Sequence, residues 1–130
     1  MTYKAPDLMG QAIHFRKVMD QPIGAFNPTA ALAQMRLISE EYQEVIEAHC
    51  EALTYIQNKR SRENLLKELA DVVFVCFQYA AAAGWELDEA LDRVYESNMS
   101  KLVDGKPLKR EDGKVLKGPN YHQPYLQDLV

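Results

Sequence analysis

Apolar residues recur at helical spacing through four stretches of the chain. In residues 7–19 they fall at Leu8, Met9, Ala12, Ile13, Phe15, Val18 and Met19, which line one side of an α-helix. Asp7, directly after Pro6, marks the expected start. Gln21-Pro22-Ile23-Gly24 and Asn27-Pro28 interrupt the period and predict a loop. A second helix opens at Pro28 and Thr29 and is expected to run to about Asn58. Its apolar face carries Leu32, Met35, Leu37, Ile38, Tyr42, Val45, Ile46, Leu53 and Ile56. The polar run Asn58-Lys59-Arg60-Ser61 ends it and offers Ser61 as N-cap of a third helix over residues 62–83. From Leu65 onward that helix is apolar nearly all round, apart from Lys67, Glu68, Asp71 and Gln78. Such a helix is buried on most sides, at a bundle centre or a subunit interface. Gly84 is placed to terminate it, and Asp88 or Glu86 suits the positive start of a fourth helix ending near Met99 or Leu102.

Beyond Leu102 the helical period stops. Asp104-Gly105-Lys106-Pro107 and Glu111-Asp112-Gly113-Lys114 are turn signals. They bracket a short hairpin or a loop that wraps a ligand. Gly118-Pro119 and Pro124 keep the tail extended. The expectation is an all-α fold: a bundle of about four helices with an extended C-terminal loop, forming a single domain over residues 1–130. With 130 residues there is little material to wrap the apolar third helix, so a homodimer or homotetramer is expected to complete the bundle.

Composition narrows the class. Hydrophobic residues make up 47% and charged residues 26%, as in soluble globular proteins. A net charge of −4 argues against a nucleic-acid partner, which calls for a basic surface. The charge is uneven: residues 101–117 hold six basic and three acidic side chains, a surplus that leaves the rest at −7. An acidic body with a basic tail suits metal ions on one side and anionic phosphates on the other. Cys50 and Cys76 have no zinc-type spacing and read as reduced, buried thiols of a cytoplasmic protein. The N-terminus lacks the apolar core of a signal peptide. The most apolar run, residues 72–83, is shorter than the roughly 18 residues of a membrane span, so no membrane partner is expected.

Two carboxylate clusters carry the chemistry. Glu40, Glu41 and Glu44 sit three or four apart on the second helix, and Glu68 and Asp71 three apart on the third, so each set shares a helical face. Like charges stacked this way repel by a few tenths of a kcal/mol per pair in water and by more when partly buried. A solvated face, or pairing with Lys67 or Arg36, would account for either cluster alone. Both together, on adjacent helices, call for a cation, and oxygen-only ligands suit Mg²⁺ or Mn²⁺. A di-iron carboxylate bundle would need Glu-x-x-His pairs, and the chain has none.

The Glu-Glu-x-x-Glu of residues 40–44 followed by the Glu-x-x-Asp of residues 68–71 resembles the MazG-like, all-α nucleoside triphosphate pyrophosphohydrolase superfamily. That group also includes dimeric dUTPases and phosphoribosyl-ATP pyrophosphohydrolases. The resemblance extends through Asn98-Met99-Ser100-Lys101, the Asp-Gly-Lys loop and Gly118-Pro119-Asn120-Tyr121. It implies hydrolysis of a nucleoside triphosphate between the α and β phosphates, giving a monophosphate and pyrophosphate, with Mg²⁺ (or Mn²⁺) as cofactor and two or more ions per site. Glu41, Glu44, Glu68 and Asp71 would form the main metal cage. Glu40 would bind a second ion or orient the attacking water as general base. Asn98 and Lys101 would face the phosphates, and Lys106, Lys109, Arg110 and above all Lys114 would clamp them. Arg36, one turn before Glu40, would touch phosphate or steady an acid.

For the base, His14, Phe15, Trp85 and Tyr121 are aromatic candidates, and the sequence singles out none of them. His49 lies off the acidic face. A phosphoribosyl-ATP substrate stays open, as does a non-catalytic helical oligomerisation module, which the complete set of five acids opposes.

Overall fold

The computed structural model of the chain describes residues 4–130. It is all-helical. Helix α1 spans Leu8–Val18, α2 Pro28–Thr54, α3 Lys59–Ala83 and α4 Leu87–Met99, with a short 3₁₀ turn at Gln127–Leu129. Among the described residues there is no strand, only isolated antiparallel bridges at Val103–Lys106 and Lys109–Val115. The chain divides into two compact units, Met1–Trp85 and Glu86–Val130.

In the first unit, local chemistry sets the helix ends. The Asp7 carboxylate accepts from the Gly10 N–H at 2.9 Å and caps α1. Asn27 accepts from Ala30 N at 3.1 Å, and Pro28 fills the first turn of α2, where a missing N–H does no harm. Helix α2 stops at Thr54, four residues short of the expected end, because Tyr55 leaves the helical region (φ −112°, ψ 58°). The cap of α3 is Asn58, not Ser61: the Asn58 side chain accepts from Arg60 N at 3.0 Å. Ser61 lies inside the helix, buried, its hydroxyl donating to Asn58 O at 2.8 Å. At the other end Gly84 takes φ +80°, and its N–H returns to Ala80 and Ala81. Two observations fix glycine there: the positive φ, and a Cβ that would lie 2.8 Å from the Gly24 backbone. The approach is close because Gly24 N and Ala25 N donate to Ala81 O and Ala82 O at 3.1 and 3.2 Å. These bonds satisfy carbonyls that the helix end leaves open.

Helix α3 packs against both α1 and α2. The core holds Met9 and Ala12 of α1, Ala48 and Ala52 of α2, and Val75, Phe77 and Ala80 to Ala83 of α3. Burying a side chain such as Phe77 contributes about 1.5–3 kcal/mol, and the alanines let backbones approach closely. Phe15 meets Phe74 edge-on at 5.2 Å, and Trp85 stacks on Phe26 at 5.1 Å. Three of the aromatic candidates for base binding (Phe15, Trp85 and Tyr121) thus have aromatic or cationic neighbours, Tyr121 under Lys117 Nζ at 4.7 Å from the ring centre. The apolar perimeter of α3 is only partly covered within the chain. Leu66, Leu69 and Val73 stay exposed and, with Leu8 and Phe77, line a groove of about 440 Å³. Cys50 is exposed, contrary to expectation, because it lies on the side of α2 opposite Ala48 and Ala52; Cys76 is half-buried. No helix among the described residues is long and apolar enough to cross a membrane.

In the second unit, Arg93 of α4 binds Asp128 (Nη2 to Oδ2, 3.0 Å), Glu89 (3.0 Å) and Tyr125 O (3.0 Å). Ser97 donates to His122 O at 2.7 Å, and His122 N donates to Ser100 Oγ at 3.1 Å. These bonds tie the extended tail to α4. Residues 108–116 form a tight hairpin-like turn, with Arg110 N donating to Lys114 O and Leu116 N to Leu108 O. Asp112 accepts from the Arg110 guanidinium and from Lys114 N inside it. The turn chemistry of the second Asp-Gly-Lys triplet therefore gives the hairpin alternative, without a strand on either side.

Candidate metal centre

Helices α2 and α3 follow each other through a four-residue link and pack along their lengths. That hairpin brings the middle of α2 beside the first half of α3. Glu41, Glu44 and Glu68 each direct a carboxylate oxygen to a common point, all three within 4.8 Å of one another. Glu44 is exposed, Glu41 half-buried, and Glu68 buried at 8% exposure. One oxygen of Glu41 and one of Glu68 are buried without any hydrogen-bond partner. A buried acceptor left open in this way costs about 1–3 kcal/mol, and more when charged. Hard carboxylate oxygens, converging and unpartnered, fit a divalent cation of the Mg²⁺ type.

The other two acids of the sequence pattern lie differently. Asp71, half-buried, accepts from Lys67 Nζ at 2.8 Å, one helical turn away. Lys67 also reaches Glu68 Oε1 at 3.4 Å. Hydrogen bonding and attraction from Asp71, then attraction from Glu68, raise the Lys67 pKa above its ordinary value. Lys67 is 64% exposed, so the pair is easily opened and contributes little. Glu40 is exposed on α2, outside the converging trio.

The remaining sequence candidates are spread over both units. Arg36 is exposed on α2. In the second unit Asn98 is exposed near the end of α4, Lys101 is half-buried just beyond it, Lys114 is exposed in the tight turn, and Tyr121 is half-buried in the tail. His14 is exposed on α1, and His49 is exposed on α2.

Two polar residues that the sequence reading passed over, Arg16 and Gln34, are buried in the first unit, as is Gln78, the polar break in the apolar run of α3. Burial pulls the Arg16 pKa below its ordinary value. Arg16 donates to Pro22 O at 2.7 Å and to Gln78 Oε1 at 3.4 Å. The available signal was an arginine amid Ile13, Phe15 and Val18, and a glutamine seven residues ahead of Glu41 on the same helical face.

A family model described as phosphoribosyl-ATP pyrophosphohydrolase matches residues 12–98, two thirds of the chain and all five acids. A search of curated proteins finds no match.

Proposed function

Because the chain belongs to the phosphoribosyl-ATP pyrophosphohydrolase family, within the MazG-like all-α superfamily, we propose that it hydrolyses a nucleoside triphosphate between the α and β phosphates. The family makes it a pyrophosphohydrolase. The observation that carries the proposal is the trio of Glu41, Glu44 and Glu68, two of whose oxygens are buried and unpartnered.

Glu41, Glu44 and Glu68 would hold Mg²⁺ or Mn²⁺, with Asp71 joining once Lys67 swings away. A bound divalent ion neutralises phosphate oxygens and makes coordinated water more acidic. The chain's own residues do the rest. Glu41 and Glu68 hold their carboxylates fixed by burial, so little side-chain freedom is lost on binding. Glu40, exposed on α2 and next to Glu41 in the chain, would accept the proton of an attacking water or hold a second ion. For Arg36, Asn98, Lys101, Lys114 and Tyr121, a part in substrate binding rests on residue type and on the family resemblance. Their alanine variants should raise KM more than they lower kcat.

Phosphoribosyl-ATP is the second reading, favoured by the description of the matching family. We also infer that a second copy of the chain covers the exposed Leu66, Leu69 and Val73 face in a homodimer or homotetramer, since an apolar patch of this kind is rarely left to water. The enzyme would work in the cytoplasm.

A panel of NTPs, dNTPs and phosphoribosyl-ATP, assayed for pyrophosphate release with Mg²⁺ and with Mn²⁺, tests the proposal. Release from at least one triphosphate, abolished by EDTA, is expected. No release from any member would leave the non-catalytic module as the better account.

A further inference from the structure

The acids between α2 and α3 already have a positive charge beside them. Among the described residues, Lys67 is the one cation in an ion pair with any of the five acids: its Nζ lies 2.8 Å from Asp71 Oδ2 and 3.4 Å from Glu68 Oε1. The other ion pairs lie elsewhere, at Lys59–Glu63 near the start of α3 and around Arg93 and Arg110 in the second unit. Asp71 is one helical turn from Glu68, yet it stands outside the Glu41–Glu44–Glu68 cluster. Lys67 supplies the reason. Its ammonium holds the Asp71 carboxylate on the flank where the lysine side chain, 64% exposed, meets water.

An exposed pair of this kind is weak, as a placeholder has to be. A divalent ion carries twice the charge and takes carboxylate oxygens at about 2.0–2.1 Å, closer than the ammonium at 2.8 Å. It therefore wins Asp71 from the lysine. Lys67 cannot go far, because its stem is anchored next to Glu68, and its charge then requires a new acceptor. Two oxygens on one Mg²⁺ are at most about 4.2 Å apart, twice the metal–oxygen distance. A phosphate oxygen sharing the ion with Asp71 thus lies within a small rotation of the lysine side chain.

We propose that Lys67 exchanges partners: it holds Asp71 aside in the metal-free chain, yields it to the divalent cation, and then binds an oxygen of the substrate's phosphate chain. Lys67 is a positioning residue before the ion enters and a substrate-binding residue afterwards. Metal and triphosphate consequently favour each other's binding, since the anion takes up the charge that the metal displaces. The inference rests on the metal-dependent pyrophosphohydrolase reading and adds a residue to it.

The test titrates the full chain by calorimetry, first with Mg²⁺ alone and then with inorganic tripolyphosphate at saturating Mg²⁺. Wild type is compared with Lys67→Met, which keeps the stem without the charge, and with Lys67→Arg and Lys59→Met. Lys67→Met should bind Mg²⁺ about fivefold more tightly, the factor that an exposed ion pair at the upper end of its range corresponds to. It should bind tripolyphosphate at least about tenfold more weakly, as for a lost hydrogen bond to a charged group. Lys67→Arg should restore both affinities toward wild type. Lys59→Met, whose partner Glu63 is 3.9 Å away on the same helix, should change neither. The opposite signs separate this role from a structural one, because damage to the fold weakens both affinities together. Mg²⁺ affinity unchanged or lowered in Lys67→Met, or tripolyphosphate affinity unchanged, would overturn the proposal. No Mg²⁺ binding by the wild type would overturn the metal centre along with it. The assay reads no hydrolysis, so a failure here is separable from a failure of pyrophosphate release.

Discussion

Replacing Glu68 by Gln should make the variant more stable than the wild type without metal and less stable than the wild type with it. Glu68 faces Glu41 and Glu44, with carboxylate oxygens within 4.8 Å. Coulomb's law at that separation gives about 1 kcal/mol of repulsion per pair in a water-like medium, and about 3.5 kcal/mol at an effective dielectric near 20. Water reaches the exposed Glu44, and the substitution also gives up the Lys67 contact at 3.4 Å, worth about 0–1 kcal/mol. The net relief in the metal-free chain is therefore about 1–2 kcal/mol, or about 4–8 °C in Tm for a domain of this size. Saturating Mg²⁺ at about one hundred times its Kd adds about 2.7 kcal/mol to the wild type, and Glu68→Gln forfeits most of it. Calorimetry in EDTA and in Mg²⁺ should show the variant melting higher in the first and lower in the second. A variant that melts lower in both, with no Mg²⁺ effect on the wild type, refutes the reasoning.

Three further outcomes follow from other parts of the structure. Charge reversal at the trio, Glu44→Lys, should reduce pyrophosphate release by at least about 10²-fold, because several kcal/mol of charge neutralisation is lost; an unchanged rate would remove Glu44 from the site. Gly84→Ala should cost more than about 1–2 kcal/mol, the penalty for a left-handed residue, since its Cβ also meets the Gly24 backbone at 2.8 Å; urea unfolding should show a lower midpoint at unchanged slope. Asp128 is held below its ordinary pKa chiefly by hydrogen bonding from Arg93. A carboxylate so depressed contributes stability above its unfolded value near 3.9, and that contribution disappears as pH falls through the folded value. The Tm gap between wild type and Asp128→Asn should thus be positive at neutral pH and shrink as pH falls below the ordinary carboxylate range; a gap independent of pH would contradict the ion pair.

How far the sequence discloses this molecule depends on the range of the interaction. Asp7, Asn27, Pro28 and Gly84 act within three or four residues of themselves, and the helix boundaries they set are readable directly. Ser61 misled because Asn58, three residues earlier, is an equally good cap and Tyr55 had already left the helix. The burial of Glu68 was legible as an acid in an apolar run, whereas the Lys67–Asp71 pairing was one choice among several that a lysine's reach allows. Arg16, Gln34 and Gln78 were visible as polar positions beside apolar ones, but their pairing was not: Arg16 and Gln78 are 62 residues apart, and no local period records which polar side chains a bundle will bury together. The tail beyond α4 is held by Arg93–Asp128 and Ser97–His122, again contacts between distant positions, so its turns could be foreseen and its course could not.

The central claim is a divalent ion held between α2 and α3. A crystal of the full chain grown with Mn²⁺ and a non-hydrolysable triphosphate, with data collected at the manganese edge, tests it most directly. The account predicts an anomalous peak bounded by the carboxylates of Glu41, Glu44 and Glu68. Triphosphate bound with no such peak at saturating Mn²⁺ would contradict it.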